Sequence, residues 1–280
     1  MVQKIAFCFL SYGDIEQPGI WSSFFAGVAA DQYTTLLHRA DGVQTSWAPE
    51  CTVIPHRPTK WGTFSLVEAQ QELFVTACKD PAVTKCILLS GDSIPIHSFQ
   101  TIYAKLTCDS KGYMKQYESD QHLGREQTVN KAAWPSDTPW SWPIAHQWVI
   151  LTRAHIQLLQ ENWTMLTQVF GSSQIPDEQV YIVFFKGFGF LDSFHDMRTI
   201  RVNWNIQSDP CSEEHRSRPR AHHTSDFTPQ YMNWIYAEDA FFLRKLCKTA
   251  TVTMDWSAAR PLVPVKGHRL GKFNLMRRKL

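Results

Sequence analysis

The sequence predicts an α/β domain built on a single, mostly parallel central sheet flanked by helices. Short apolar runs closed by turn residues recur at Lys4–Leu10, Tyr33–His38 and Thr84–Leu89. Segments of helical length lie between and after them. Strand and helix therefore alternate, as required when each parallel strand is reached by a crossover.

Lys4–Leu10 is almost continuously apolar and ends at Ser11-Tyr12-Gly13-Asp14, the pattern of a buried strand followed by a turn. Ile20–Ala30 predicts a helix. Tyr33–His38 predicts a second strand, ended by Ala40-Asp41-Gly42, and Cys51–Ile54 a short third. Ser65–Lys79 carries apolar residues at 66, 67, 69, 73, 74 and 77 behind Thr63 or Ser65 as an N-cap, which predicts a helix. Thr84–Leu89 is another buried strand, followed by the loop Ser90–Pro95 and a helix over Ser98–Leu106. Lys111–Pro143 breaks the rhythm. It is polar, contains proline and holds Trp134, Trp140 and Trp142, so it reads as a long functional loop over the sheet. His146–Leu151 predicts a strand and Arg153–Asn162 a helix. Pro176-Asp177-Glu178 opens a helix over Gln179–Phe185, and Thr199–Trp204 reads as a strand. Asp209–Ser225 is irregular and rich in Arg and His. Ala237–Lys248 reads as a helix with a basic end. No repeat and no second compositional regime divides residues 1–280, which predicts one domain with a basic tail from about residue 261.

Composition excludes several functions. Lysine and arginine total 28 against 26 acids, a balance that gives nucleic acid no general attraction. No G-x-G-x-x-G follows the first strand and no G-x-x-x-x-G-K-[ST] occurs, which disfavours a nicotinamide cofactor and an ATP-driven motor. The seven cysteines form no C-x-x-C, and Cys8, Cys78 and Cys86 fall in apolar runs, so reduced core thiols are expected rather than zinc. The first apolar run is too short to cross a membrane and no cleavable signal is visible, so a cytoplasmic location is expected. The sequon Asn162-Trp163-Thr164 is accordingly expected to carry no glycan. Parallel sheets bind ligands at the carboxyl ends of their strands, so the loops after Leu10, His38 and Leu89 should line one crevice. The 11 tryptophans suit sugar recognition, since an indole matches the C–H face of a pyranose.

Several segments, in order, resemble the core-2/I-branching glycosyltransferases (glycosyltransferase family 14, including xylosyltransferases). They are Lys4-Ile-Ala-Phe-Cys-Phe-Leu10, Ile20-Trp-Ser-Ser-Phe-Phe-Ala-Gly27, Leu37-His38, Trp61-Gly-Thr-Phe-Ser-Leu-Val-Glu-Ala69 and Leu88-Leu-Ser-Gly-Asp-Ser-Ile-Pro-Ile96. Gln147-Trp-Val-Ile-Leu-Thr-Arg153, Pro176-Asp-Glu178, Val202-Asn-Trp204 and Phe242-Leu-Arg-Lys245 follow. The resemblance implies a GT-A-like fold and an inverting transfer from a UDP-sugar to a hydroxyl of a glycan acceptor. UDP-xylose is favoured slightly over UDP-GlcNAc; some plant members use UDP-glucuronate. It also implies a form without the membrane anchor of Golgi members, as microbes or large DNA viruses would use in the cytosol. Ser93 stands where animal members have an acid, with Asp92 one residue earlier, and His38-Arg39-Ala40-Asp41 is one residue longer than their His-x-Asp.

An inverting transfer needs one base to take the proton of the attacking hydroxyl. Glu178 matches the family's base, and Asp177 beside it suits a helix cap. The UDP leaving group gains negative charge, and no Asp-x-Asp is present to hold a divalent ion against it. No tightly bound cofactor or metal is expected. The resemblance instead implies one Arg and one Lys: Lys245 matches the Lys, Arg218 and Arg220 both suit the Arg with Arg220 preferred, and Arg244 could contribute. A metal-dependent alternative would use Asp92 or Glu118 with Asp120. Phe9, Ser11, His38 and Arg39 lie at the first two strand ends and are expected to meet uridine; Trp61 and Ser65 follow by resemblance. Ser90 and Asp92 are placed to bond sugar hydroxyls. Trp204 matches an acceptor-stacking Trp, with Trp148 as a second. The alternative class is an inactive transferase-like carbohydrate-binding protein that keeps the crevice and aromatics without transfer.

Overall fold

The computed structural model describes residues 2–46, 51–117, 123–203, 221–237, 239–259 and 262. Its central sheet has seven strands in the order β10-β6-β9-β4-β1-β2-β3. These are β1 (Lys4–Ser11), β2 (Tyr33–Arg39), β3 (Cys51–Val53), β4 (Val83–Ser90), β6 (Gly112–Tyr113), β9 (Ile150–Thr152) and β10 (Phe194–His195). β3, β2, β1 and β4 are parallel, β10 is parallel to β6, and β9 runs antiparallel between β4 and β6. The sheet is thus mostly parallel and flanked by helices, as a GT-A-like fold requires.

β1 sits in the middle because its side chains are apolar on both faces. Ile5, Ala6, Phe7, Cys8 and Phe9 are each buried to within 1% of completely. Side chains alternate across a strand. Phe7 and Phe9 meet Trp21 of α1 (Pro18–Phe25), and Phe7 also meets Phe99 of α3 (Phe99–Thr107). Cys8 joins Cys86 of β4 and Cys78, which caps α2 (Ser65–Ala77), on the other face. α5 (Arg153–Glu161), α6 (Trp163–Phe170) and α7 (Val180–Gly187) add Ile156, Leu159, Val169 and Phe184 to the same core.

Local signals set the helix ends. Pro18 occupies the first turn of α1, and Gly27 follows its end at φ +73°, so this helix is shorter than Ile20–Ala30. Ser98 caps α3 by accepting from the Thr101 amide. Thr152 and His155 form a reciprocal capping box on α5. α2 has no side-chain cap: the Ser65 hydroxyl accepts from the Lys60 amide instead.

Two expectations fail. Lys111–Pro143 is not a plain loop. It supplies β6 to the central sheet, β7 (Gln116–Tyr117) to a pair with β8 (Ile144–Ala145), and the short helix α4 (Leu123–Glu126). Trp134 is buried, its indole N–H donating to the Thr138 carbonyl. β6 is possible because residue 112 is glycine: a Cβ there would lie 2.6 Å from the Ile150 carbonyl oxygen and 2.9 Å from Cε1 of His155. Nor is Ala237–Lys248 a helix. The helix is α8 (Pro229–Tyr236), capped by Thr228, and the apolar run after it is β12 (Phe242–Arg244). β12 lies parallel to β11 (Ile200–Val202) and antiparallel to β5 (Ile94–Pro95). Four consecutive buried apolar residues, Ala240–Leu243, fit a short strand as well as a helix turn. Partners at residues 94 and 200 decide between them. Phe242 reaches Trp21 and Phe7, which joins this small sheet to the main core.

Replacing Gly112 with alanine forces β6 away from β9, and denaturant unfolding should show a loss of about 1–3 kcal/mol, the cost of overpacking a filled site.

Candidate functional site

β1, β2 and β4 end in step. Ser11 pairs with Arg39, and Leu10 pairs with both His38 and Ser90. Gly91 lets the loop after β4 press against the loop after β1, since a Cβ there would collide with the Ser11 side chain. The Glu16 amide donates to the Gly91 carbonyl at 2.8 Å, and the Trp21 indole N–H donates to the Ser93 carbonyl at 3.0 Å. Ser93 is fully buried, and its hydroxyl lies 2.7 Å from that of Ser90.

The small sheet delivers cations to the same edge. Arg244, the last residue of β12, donates from Nε to Oδ1 of Asp92 at 2.9 Å, and the same oxygen accepts from Ser90. The Arg244 guanidinium lies 4.8 Å over the Trp148 ring. The Leu246 amide donates to the Asp92 carbonyl, and the His222 amide to the Lys245 carbonyl. Glu16 faces this group from the β1 loop, with Oε1 3.8 Å from Lys248. Burial, and then Asp92, push the Glu16 carboxyl above its usual range, while Lys248, Lys245 and Arg244 pull it down. Two acids and three cations thus share one edge. His146 nearby is held neutral, its pKa lowered to about 4 by desolvation and then by Arg198 and Arg244.

Asp177 and Glu178 lie in a single 3-10 turn, Pro176–Glu178, ahead of α7. The residue before it, Ile175, is left-handed at φ 50°. That is an uncommon conformation for a branched residue and a kind of strain that gathers at functional sites. The Ile175 amide donates to the Gly62 carbonyl at 3.0 Å, which seats the turn beside Trp61. Glu178 is about one third exposed and accepts from Arg125 Nη1 at 2.7 Å through Oε2. Among the described residues its Oε1 has no hydrogen-bond partner. Asp177 is buried, and among the described residues its Oδ1 has no hydrogen-bond partner. Desolvation, and then the Glu178 charge, push its pKa up to about 7. Asp177 therefore carries a proton through most of the acid range while its exposed neighbour keeps an open oxygen. Arg125 and Arg244 both lower the Asp177 pKa through their charge, so the cation edge lies within electrostatic reach of this turn.

Ser11, Ser90, Asp92, Arg244 and Lys245 come together at the carboxyl edge of the sheet, and Glu178 stands on the separate turn ahead of α7. Other expected residues do not present themselves to a ligand. Phe9 is buried against Trp21, so its ring cannot meet uridine. His38 is fully buried, its Nε2 3.1 Å from the Arg57 carbonyl, and burial lowers its pKa. Arg39 is consumed in a fork onto Asp41 (3.0 and 2.7 Å), with Asp14 at 3.2 Å and the Thr45 carbonyl at 2.5 Å. It clamps the β1 and β2 loops together. Trp148 is buried beneath Arg244 and offers no open face to a sugar. Asp177 has its side chain buried and makes no side-chain cap. Ser65 supports the Lys60 turn, while Trp61 is 77% exposed beside the Ile175 turn. Trp204, Arg218, Arg220, Glu118, Asp120 and the basic tail lie outside the described residues.

Sequence reasoning missed Glu16, Lys248 and Arg125. Glu16 and Lys248 follow strands that end at the crevice, and position alone could have flagged them. Arg125 sits in a polar stretch 53 residues before Glu178, with no local signal of its partner. Among the described residues no group of three His, Cys, Asp or Glu could hold a metal ion, and no helix is long and apolar enough to cross a membrane.

A family model described as Core-2/I-Branching enzyme matches residues 5–236. The chain is also similar to "Glycosyltransferase BC10" from Oryza sativa subsp. japonica, 24% identical over 172 residues. That match covers 59% of this chain and 42% of the rice protein, so the chain spans less than half of that relative's length.

The Asp177 environment has a consequence for stability. Its folded pKa, about 7, lies above its ordinary value of 3.8. The native state thus holds a proton that the unfolded chain releases, and stability is full below pH ~4 and falls as pH rises to ~7. The loss is at most about 4 kcal/mol. Asp177→Asn should flatten that slope in urea unfolding curves across pH, and an unchanged slope would show that another group titrates.

Proposed function

The chain belongs to the Core-2/I-branching enzyme family, and from that premise we propose that it is an inverting glycosyltransferase, moving a sugar from a UDP-sugar to a hydroxyl of a glycan acceptor. The observation that carries the reading is an acid with an open carboxylate oxygen, Glu178, on a turn within electrostatic reach of Arg244, the cation that Asp92 and Trp148 hold at the carboxyl edge of the sheet. Glu178 Oε1 takes the proton of the acceptor hydroxyl as its oxygen bonds to the anomeric carbon. The bond from that carbon to the diphosphate breaks on the opposite face, and the configuration inverts. UDP leaves with the bonding electrons, and its growing charge meets Arg244 and Lys245, with the exposed Lys248 at the rim. Cations already in place stabilise that charge more in the transition state than in the ground state. By the family pattern Arg220 joins them. Arg244 is shared with Asp92, so part of its charge is neutralised before donor binds. Trp61, exposed beside the base, is placed to stack on a sugar face. UDP-xylose is the first donor to test and UDP-GlcNAc the second.

Glu178→Gln should reduce transfer by about 10²–10⁴-fold, the usual worth of a general base. UDP should still raise the melting temperature of the variant, because the nucleotide binds only the folded state. Running the shift in EDTA and in manganese reads the metal requirement directly: a shift in EDTA supports the cation site, and one that needs manganese moves the diphosphate onto acids. Near-normal turnover in the variant would remove Glu178 as the base. Glycan binding with no response to any UDP compound would favour the carbohydrate-binding alternative.

A further inference from the structure

We propose that Arg125 is a positioning residue for Glu178: it holds one carboxylate oxygen so that the other faces the acceptor hydroxyl. The inference rests on the reading of Glu178 as the base. Arg125 comes from α4, in the polar segment that sequence patterns leave as a loop, and its Nη1 lies 2.7 Å from Glu178 Oε2. The charged hydrogen bond fixes which oxygen is occupied, and among the described residues the other is open.

The segment carrying Arg125 is itself tied down. Glu126 accepts from the Trp140 indole at 2.8 Å and pairs with Lys131. The Thr128 hydroxyl donates to the Arg125 carbonyl at 2.7 Å and accepts from the Gln174 amide at 3.0 Å. Gln174 directly precedes the strained Ile175 and the Pro176–Glu178 turn. The segment Arg125–Thr128 therefore grips the base twice, through the Arg125 guanidinium and through Thr128 on the backbone just ahead of the turn. A surface ion pair with no such framing would contribute little.

The charged groups around Glu178 are few. Asp177 is its neighbour on the same turn. Arg125 and Glu126 come from α4, with Glu126 already committed to Trp140 and Lys131. α2 packs on the turn and carries Glu68, paired with Arg57 at 3.4 Å, and Glu72. α7 carries only Lys186, in its last turn, and Arg244 bears on Asp177 from β12. Arg125 is thus the cation in contact with the base among the described residues.

The test measures kcat and KM separately for Arg125→Ala, Arg125→Gln and Arg125→Lys, with the UDP thermal shift as a check of folding and donor binding. Loss of the guanidinium should lower kcat about ten- to a hundredfold through misplacement of the base and leave KM for the donor within about twofold of wild type. The response to UDP should be unchanged. Arg125→Lys, which keeps the charge and loses the planar donor, should restore only part of kcat. A wild-type kcat in Arg125→Ala would overturn the inference while leaving Glu178 as the base, provided Glu178→Gln is inactive. An active Glu178→Gln would overturn the reading beneath it instead. If the alanine variant does not fold, the glutamine variant reads the same kcat.

Discussion

The parallel pairing of β1 between β2 and β4 is the constraint on which the rest of the structure depends. Its residues are apolar on both faces, so burial fixes the strand in the middle of the sheet and one register fixes its neighbours. With that register set, Ser11, Arg39 and Ser90 must emerge along one edge. Everything chemical in the molecule is built outward from that edge. Gly91 brings two of the loops together, and the Arg39 fork onto Asp41 and Asp14 fastens the third.

The small sheet completes the crevice by electrostatics as well as packing. Phe242 anchors it in the main core, and the next two residues, Leu243 and Arg244, turn from the satellite apolar cluster to the ion pair with Asp92. Cations held this close to one another need acids among them in the absence of a ligand, and Asp92 and Glu16 fill that place. A diphosphate entering the edge would meet Arg244 already oriented by Asp92 and Trp148. The orienting cost is then met by folding rather than by binding.

Much of the fold was legible because it rests on local patterns. The apolar runs of β1, β2 and β4 and the periodicity of α2 fall close to their observed limits. β6 and β12 were not legible, because each is only two or three residues long and exists through partners far away in the chain. The site divides the same way. The resemblance pointed to Glu178 and Lys245, and the strand-end rule pointed to Ser90 and Asp92, which do lie at the carboxyl end of β4. The fate of Phe9, Arg39 and Trp148 depended on burial and on salt bridges formed by the fold, which a linear pattern does not carry. Arg125 depended on α4 folding back onto a turn 53 residues later, and no spacing rule announces that.

The account stands or falls on whether the nucleotide occupies the carboxyl edge of the sheet. Hydrogen exchange with and without UDP measures this directly, since bound ligand slows local opening where it sits. Protection should concentrate in residues 11–17, 90–93 and 244–248. Protection confined instead to the aromatic hollow around Lys131, Trp134 and Trp140, away from the carboxyl ends of β1 and β4, would contradict it.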